Sequence, residues 1–466
     1  MSSISSSMSM DMKLNLFFFL VLFASTISSS LAKGSLQQTL LPSEFNDCSN
    51  ASQARHLLED ESQAQKSVDL AQGYMSNDDL EWAIQEIGQR CSNISRIYSI
   101  GKSVNGFPLW VIEISDKPGE EETEPAFKFI GNVHGDEPVG RELLIFLANW
   151  LCDNHLKDPL ATLIVENVHL HLLPSMNPDG FSLKKRGNAN NIDLNRDFPD
   201  QGALVANYPW DGSDDKRPFS GHYIYVLAFR PFSGHCIYVL AFRPFSVHYI
   251  FVERTKYYGC PDDDAFRFMS SIYSHSHYNM SSSKEFLGGI TNGAAWYPLY
   301  GGMQDWNYIH AGCFELTLEI CDNKWPSAAE LPILWRYNKM SMLNLVASLV
   351  KTGVHGRIYS SGDGRPLPGS ITVSGINYTV RAGKTFGDYH RILAPRDKYE
   401  VVATMPGYKS KNTTIWLDEG PVTLDFVLDP ECKNRKEEEK FTFVIVSALS
   451  AYLEKDPGGP EFIQAL

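Results

Sequence analysis

The feature that most limits what this 466-residue chain can fold into is the run Phe127 to Val133, closed by His134-Gly-Asp-Glu137 and continued by Gly140-Arg-Glu-Leu-Leu144. A short apolar run bounded by turn residues reads as a buried strand, and the apolar-rich segment Leu143 to Leu151 reads as a helix. Strand, tight polar turn and helix in succession point to an α/β layered fold. The turn itself carries an imidazole and a carboxylate three residues apart, a compact pair of zinc ligands. A catalytic zinc takes three protein ligands and leaves the fourth position to water. A loop histidine beside a glutamate favoured by a helix dipole has the same spelling, so the pair gains meaning only from the rest of the chain.

Downstream of Glu137, a series of motifs appears in fixed order. Pro174-Ser-Met-Asn-Pro-Asp-Gly-Phe181 reads as a strand end and turn. Then come Arg186-Gly-Asn-Ala-Asn-Asn-Ile-Asp-Leu-Asn195-Arg196-Asp-Phe-Pro199 and Tyr208-Pro-Trp-Asp211. Trp296-Tyr297-Pro-Leu-Tyr-Gly-Gly-Met-Gln304-Asp-Trp-Asn-Tyr308 and Phe314-Glu-Leu-Thr-Leu-Glu319 close the series. Together they resemble the zinc metallocarboxypeptidases, in the branch that holds carboxypeptidases N, E, M and D, from about Ser67 to about Pro430. The resemblance implies a mixed twisted sheet with helices on both faces, a bound Zn2+ ion, and peptides or proteins ending in Arg or Lys as substrates.

It also assigns roles. His134 and Glu137 are the metal ligands. Asn195 and Arg196 hold the terminal carboxylate, for which a planar guanidinium suits bidentate recognition. Tyr297 closes over that carboxylate, and Arg186 stabilises the oxyanion. Glu319 matches the general base that activates water. Glu315 stands four residues earlier on the same strand face, so periodicity alone does not choose between them. Asp211 and Gln304 line the pocket for a basic side chain. As a plain turn residue, Asp211 is equally at home in Asp211-Gly-Ser-Asp-Asp215.

Two departures from the family pattern matter. The third zinc ligand, a histidine, should precede Gly202-Ala-Leu-Val-Ala-Asn-Tyr-Pro209, but Asp200-Gln201 stands there and the histidine is missing. A strand and a helix of the sheet are expected to be lost with it. Downstream, Arg217 to Phe229 recurs as Arg230 to Phe242 and partly as Arg243 to Val252, in β-prone, weakly charged units that could self-pair. His222, His235 and His248 in this insert are poorly suited to replace the ligand. His169 and His171 read as packed, hydrogen-bonded core residues. Deletion and repeat standing so close together also suggest a misassembled version of an ordinary enzyme.

The formal charge of −14 argues against nucleic acid and suits basic peptides. Lys13, the apolar run Leu14 to Phe23 and the small residues up to Ala32 form a secretory signal pattern. The expected organisation is a signal peptide (1–32), a propeptide or linker (33–65), a carboxypeptidase domain (66–352, with the anomalous insert at 217–252), a β-sandwich (353–430) and a charged tail (431–466). Short alternating strands with Gly and Pro turns after Val354 predict the sandwich, and the resemblance marks it as transthyretin-like. Secretion makes disulfides expected among the eight cysteines, whose pairing is open among 105 connectivities; Cys313 and Cys321 are near enough to close a small loop. Sequons such as Asn50, Asn93 and Asn279 allow glycosylation. The tail does not establish a membrane anchor, since Phe441 to Leu453 falls short of the roughly 20 residues a span needs. Two functions remain: a secreted zinc carboxypeptidase for C-terminal Arg or Lys, or a catalytically inactive peptide-binding relative that lacks the third ligand.

Overall fold

The computed structural model describes residues 73–199, 237–241 (backbone only), 257, 259–296, 301–321 and 323–431. The expected signal peptide, propeptide and charged tail, together with Asp211, Tyr297 and the repeat histidines, lie outside the described residues. Helix α1 (Asn77–Arg90) starts at a capping box, in which the Ser76 hydroxyl accepts from the Asp79 N–H and the Asp79 carboxylate accepts from the Ser76 N–H. Strands β1 (Ser95–Lys102), β2 (Pro108–Ile114) and β3 (Ala126–Ile130) come next, then helices α2 (Val139–Asn154) and α3 (Pro159–Asn167). Strand β4 (His169–Leu173) leads to the short α4 (Pro178–Leu183). After β5 (Ile237–Ala241) come α5 (Asp263–Ser276), the single turns α6 (Gly293–Trp296) and α7 (Met303–Trp306), β6 (Phe314–Leu318) and α8 (Leu331–Lys351).

The six strands form one sheet in the order β1-β2-β4-β3-β5-β6. The β1-β2 and β2-β4 pairs are antiparallel, and β4-β3, β3-β5 and β5-β6 are parallel, so the sheet is mixed as expected. Strand β5 belongs to the second copy of the repeat. It does not pair with another copy; its backbone runs parallel between β3 and β6 and completes the sheet there.

Alternation along the strands sorts the side chains by face. Ile112, Ile114, Phe127, Phe129, Leu170, Leu172, Phe314, Leu316 and Leu318 join the main core with α1, α2, α3, α5 and α8. The opposite face combines a smaller apolar cluster, including Val111, Ile130, Leu173 and Met303 of α7, with the buried polar residues Glu113, Lys128, His169, His171 and Glu315. Helices thus flank both faces, the long ones on the first and short turns on the second. A disulfide joins Cys91 at the end of α1 to Cys152 in α2, whereas the Cys313–Cys321 closure is not formed.

From Val354 onward the chain is all-β. Strands β7 (Val354–Ser360), β8 (Ser370–Val373), β9 (Ile376–Arg381), β10 (Asp388–Arg391), β11 (Asp397–Thr404), β12 (Lys411–Leu417), β13 (Val422–Thr423) and β14 (Phe426–Leu428) make two four-stranded sheets. Between them lies a separate core with Val354, Ile358, Ile371, Val401 and Leu417. This lobe is fastened to the mixed-sheet lobe by a buried ion pair. Arg391 Nη2 donates to Asp262 Oδ1 at 2.5 Å, and the Tyr308 hydroxyl donates to Asp262 Oδ2 at 2.8 Å. Tyr378 stacks on Tyr308 at 4.3 Å and donates to its carbonyl. Both members of the ion pair are fully buried. Removing one partner of such a pair leaves an uncompensated buried charge, which costs about 3–5 kcal/mol. Arg391→Met is therefore expected to lower the unfolding free energy by about that amount in urea titrations; a midpoint equal to that of the unaltered chain would show that the pair contributes nothing.

Candidate active site

The site is assembled where two turns at the ends of parallel strands meet. After β3 the backbone turns through Asn132, which holds a left-handed φ of 52° that asparagine tolerates better than most residues. Its amide donates to the His134 carbonyl at 2.9 Å, and its Oδ1 accepts from Ser175 at 2.8 Å. After β4, Asn177 does the reciprocal work, donating to the carbonyls of Val133 and Arg186 and capping α4. Gly135 lies so close to Gly180 that a Cβ at position 135 would fall 2.0 Å from the Gly180 carbonyl carbon. The His-Gly-Asp-Glu turn and the Pro-Asp-Gly turn therefore fit only because both lack a side chain at their crossing.

This packing aims His134 and Glu137 at each other. The distance from His134 Nδ1 to Glu137 Oε2 is 2.6 Å, and from His134 Nε2 to Asp193 Oδ1 3.2 Å. Arg186 closes the group, with its Nε 2.7 Å from Asp193 Oδ2 and its Nη1 3.3 Å from His134 Nδ1. Lys324 reaches in from the loop after β6, placing Nζ 3.1 Å from Glu137 Oε1 and 3.2 Å from Asp136 Oδ2. Burial pushes the His134 pKa down, but the bonds to Asp193 and Glu137 outweigh it and leave the pKa raised. Burial likewise pushes Glu137 and Asp193 up, and both end below the usual carboxylate range, because His134 bonds each of them and Lys324 or Arg186 adds positive charge.

Asn195 and Arg196 come directly after. The Asn195 Oδ1 accepts the Met303 N–H at 2.8 Å, and the Phe198 N–H donates to the Gly301 carbonyl. These bonds bring the carboxylate-binding candidates beside α7, which carries Gln304. Gln304 is buried and its Nε2 donates to Thr317 on β6 at 2.8 Å. Glu319 comes one residue after β6 and is half-buried. So His134, Glu137 and Arg186 form one group, and Asn195, Arg196 and Gln304 share a second. Sequence reasoning does not single out Asp193 or Lys324. Asp193 sits inside a family motif, two residues before Asn195; Lys324 carries no signal.

A zinc carboxypeptidase family model matches residues 80–341. The chain belongs to the zinc carboxypeptidase family. Among its relatives, carboxypeptidase SOL1 of Arabidopsis thaliana is 58% identical over 82% of this chain and 77% of that protein. Human carboxypeptidase D is 38% identical over 78% of this chain, but the match spans only 27% of that longer protein. The catalytic chain of mouse carboxypeptidase N is 35% identical over 75% of this chain and 85% of its own length.

Within a zinc carboxypeptidase the donor set at His134 fits the metal. Nδ1 and a carboxylate oxygen already converge across a distance that a proton holds in this structure and a divalent cation would hold in its place. The Asp193 carboxylate on the far nitrogen orients the ring, as carboxylates commonly do for metal-bound histidines. Bound zinc supplies Lewis-acid polarisation and an acidified water. Among the described residues, however, the sets of three such ligands that come together are Glu113, His169 and His171, and Asp116, Glu122 and Glu124; His134 and Glu137 belong to neither.

The triad Glu113, His169 and His171 could hold a metal ion by geometry, yet its neighbours are those of a structural network. His169 Nε2 is 2.8 Å from Glu113 Oε1, Arg96 Nη2 is 2.6 Å from Glu113 Oε2, and the Gly119 N–H donates to the same carboxylate. Lys128 is paired opposite His171 across β3 and β4. A cation entering here would have to displace a guanidinium. Burial pushes the Glu113 carboxyl up, but the bonds from His169, Gly119 and Arg96 outweigh it and hold its pKa at about 2, against an ordinary 4.5. A carboxyl depressed on folding adds stability that is fully present above the unfolded pKa and fades as pH falls through the folded one. Unfolding free energy should therefore drop between about pH 4.5 and about pH 2, and Glu113→Gln should flatten that limb. Parallel acid limbs for the two proteins would remove Glu113 from the account.

Proposed function

We propose that this chain is a secreted zinc metallocarboxypeptidase that releases C-terminal Arg or Lys from peptides or proteins. The observation that carries the reading is the convergence of His134, Glu137, Asp193 and Arg186 on one point, with Asn195 and Arg196 next to it along the chain. In this reading His134 and Glu137 hold zinc and Asp193 fixes the imidazole. Arg196 and Asn195 bind the terminal carboxylate, with Tyr297 closing over it. Arg186 faces the developing oxyanion and Glu319 moves the proton from water to the leaving amine. Asp211 and Gln304 select the basic side chain. The amino-terminal signal pattern and the Cys91–Cys152 disulfide support passage through an oxidising compartment. Among the described residues no helix is long and apolar enough to cross a membrane.

A second reading has its own observation. With His134 and Glu137 joined by no third metal ligand among the described residues, the chain is a candidate for a peptide-binding relative without turnover. Purified protein separates the two. The enzyme reading expects release of Arg or Lys from basic-terminated peptides, abolished by a chelator and restored by zinc. The binding reading expects capture of the same peptides, insensitive to chelator, with no product.

Two substitutions refine the first reading. Glu319→Gln should reduce product release by about 10²–10⁴-fold, the usual contribution of a general base, while leaving peptide binding in place; release at an undiminished rate would assign the proton transfer elsewhere. Asp193→Asn should weaken zinc about 10–100-fold in competition against a chelator of known affinity, and an unchanged zinc affinity would leave Asp193 no role in orienting the ring.

A further inference from the structure

Strand β6 places Glu315, Thr317 and Glu319 at alternate positions, opposite the core residues Phe314, Leu316 and Leu318. Of these three polar residues, the proposed mechanism uses Glu319 alone. Glu315 is 1% exposed, yet it carries an ionisable group into the polar side of the sheet. Its Oε2 accepts from Asn307 Nδ2 at 2.5 Å, and its Oε1 has no hydrogen-bond partner. Beside it, Gln304 is 5% exposed; its Nε2 is spent on Thr317, and its Oε1 is also without a partner. Two buried oxygens on adjoining side chains are thus left unbonded, and each such group costs about 1–3 kcal/mol. Both are oxygens suited to accept. The neighbouring donors, Asn307 and the Gln304 amide, are already committed. Asp305 contributes further negative charge nearby.

A ligand that satisfies this arrangement brings several N–H donors and a positive charge on a long stem. A guanidinium offers five donors and an ammonium three. The strand sets the depth: at roughly 3.3 Å per residue, Thr317 lies about 7 Å and Glu315 about 13 Å along β6 from Glu319. A basic side chain entering from Glu319 and a glutamate side chain reaching towards it share that distance. We propose that Glu315, together with Gln304, forms the acceptor floor of the pocket that receives the basic C-terminal side chain, making Glu315 a specificity-determining residue alongside Asp211. The proposal rests on the basic-substrate reading and deepens it. Burial raises the Glu315 pKa well above the carboxylate range, so the floor carries its full negative charge only when a cation arrives. Neutral side chains thus find a poor acceptor and an empty depth.

The test is binding, so it needs no turnover. Calorimetric titration of the full chain with an N-acylated dipeptide ending in Arg, and with its Leu-ending counterpart, measures selectivity directly. Glu315→Gln keeps the shape and the acceptor for Asn307. It should weaken the Arg peptide at least 10-fold and leave the Leu peptide unchanged. Glu315→Asp, which withdraws the charge by one methylene, should fall between the two and serves as the deciding comparison if Glu315→Gln does not fold. If the unaltered chain prefers Arg and both variants keep that preference, Glu315 is only a structural residue and the selectivity resides at Asp211. If the unaltered chain binds the Arg and Leu peptides alike, the basic-substrate reading fails and this inference falls with it.

Discussion

The contact between Gly135 and Gly180 is the constraint on which the rest of the site depends. It allows two turns, one after β3 and one after β4, to lie backbone against backbone, with Asn132 and Asn177 bonding across the crossing. Everything of chemical interest is referenced to that crossing. His134 and Glu137 are on one turn. Arg186 is carried by the other, since its carbonyl accepts from both Asn177 and the Gly135 N–H. A side chain at either glycine would separate the imidazole from the guanidinium by more than a hydrogen bond tolerates. The rigidity of the parallel strands beneath transmits into the site only through this contact.

The second organising principle is the division of the sheet into an apolar and a polar face. Five helices cover the apolar face, and the main core is continuous from α1 to α8. The polar face is held together by compensation instead. Glu113 is matched by His169, Arg96 and the Gly119 N–H. Glu315 is matched on one oxygen only. That contrast separates a structural network from a site. Buried polar groups in folded proteins are almost always bonded, so a half-satisfied pair of acceptors beside the proposed catalytic residues is better explained by an incoming cation than by folding needs. The β-sandwich adds a brace on the same region, since Tyr378 and the Arg391–Asp262 pair hold Tyr308, which stands close after Gln304 and Asn307.

Much of this is legible along the chain because its signals are local. The apolar run ending in His134-Gly-Asp-Glu137, the alternation of Phe314 to Leu318 and the turn-punctuated strands after Val354 each depend on neighbours within a few residues. The family resemblance is legible for the same reason. Harder to see are partners far apart in sequence: Asp193 acts on a ring 59 residues away, and Lys324 reaches an aspartate at a separation of 188. The repeat announces its β-forming character in its composition, but not its place in the sheet. A segment able to pair with its own copy can equally enter any open parallel register, and β3 and β6 offer one.

The sequence by itself determined the family, the α/β and all-β halves, the metal-type pair and the absence of the family's third histidine, because residue type, spacing and periodicity fix these without reference to distant contacts. Only the tertiary structure decided that Asp193 orients His134, that Glu113 is neutralised by its surroundings and that Glu315 is not. Those distinctions turn on which buried oxygen has a donor within about 3 Å, a property of packing across elements that no single stretch of chain contains.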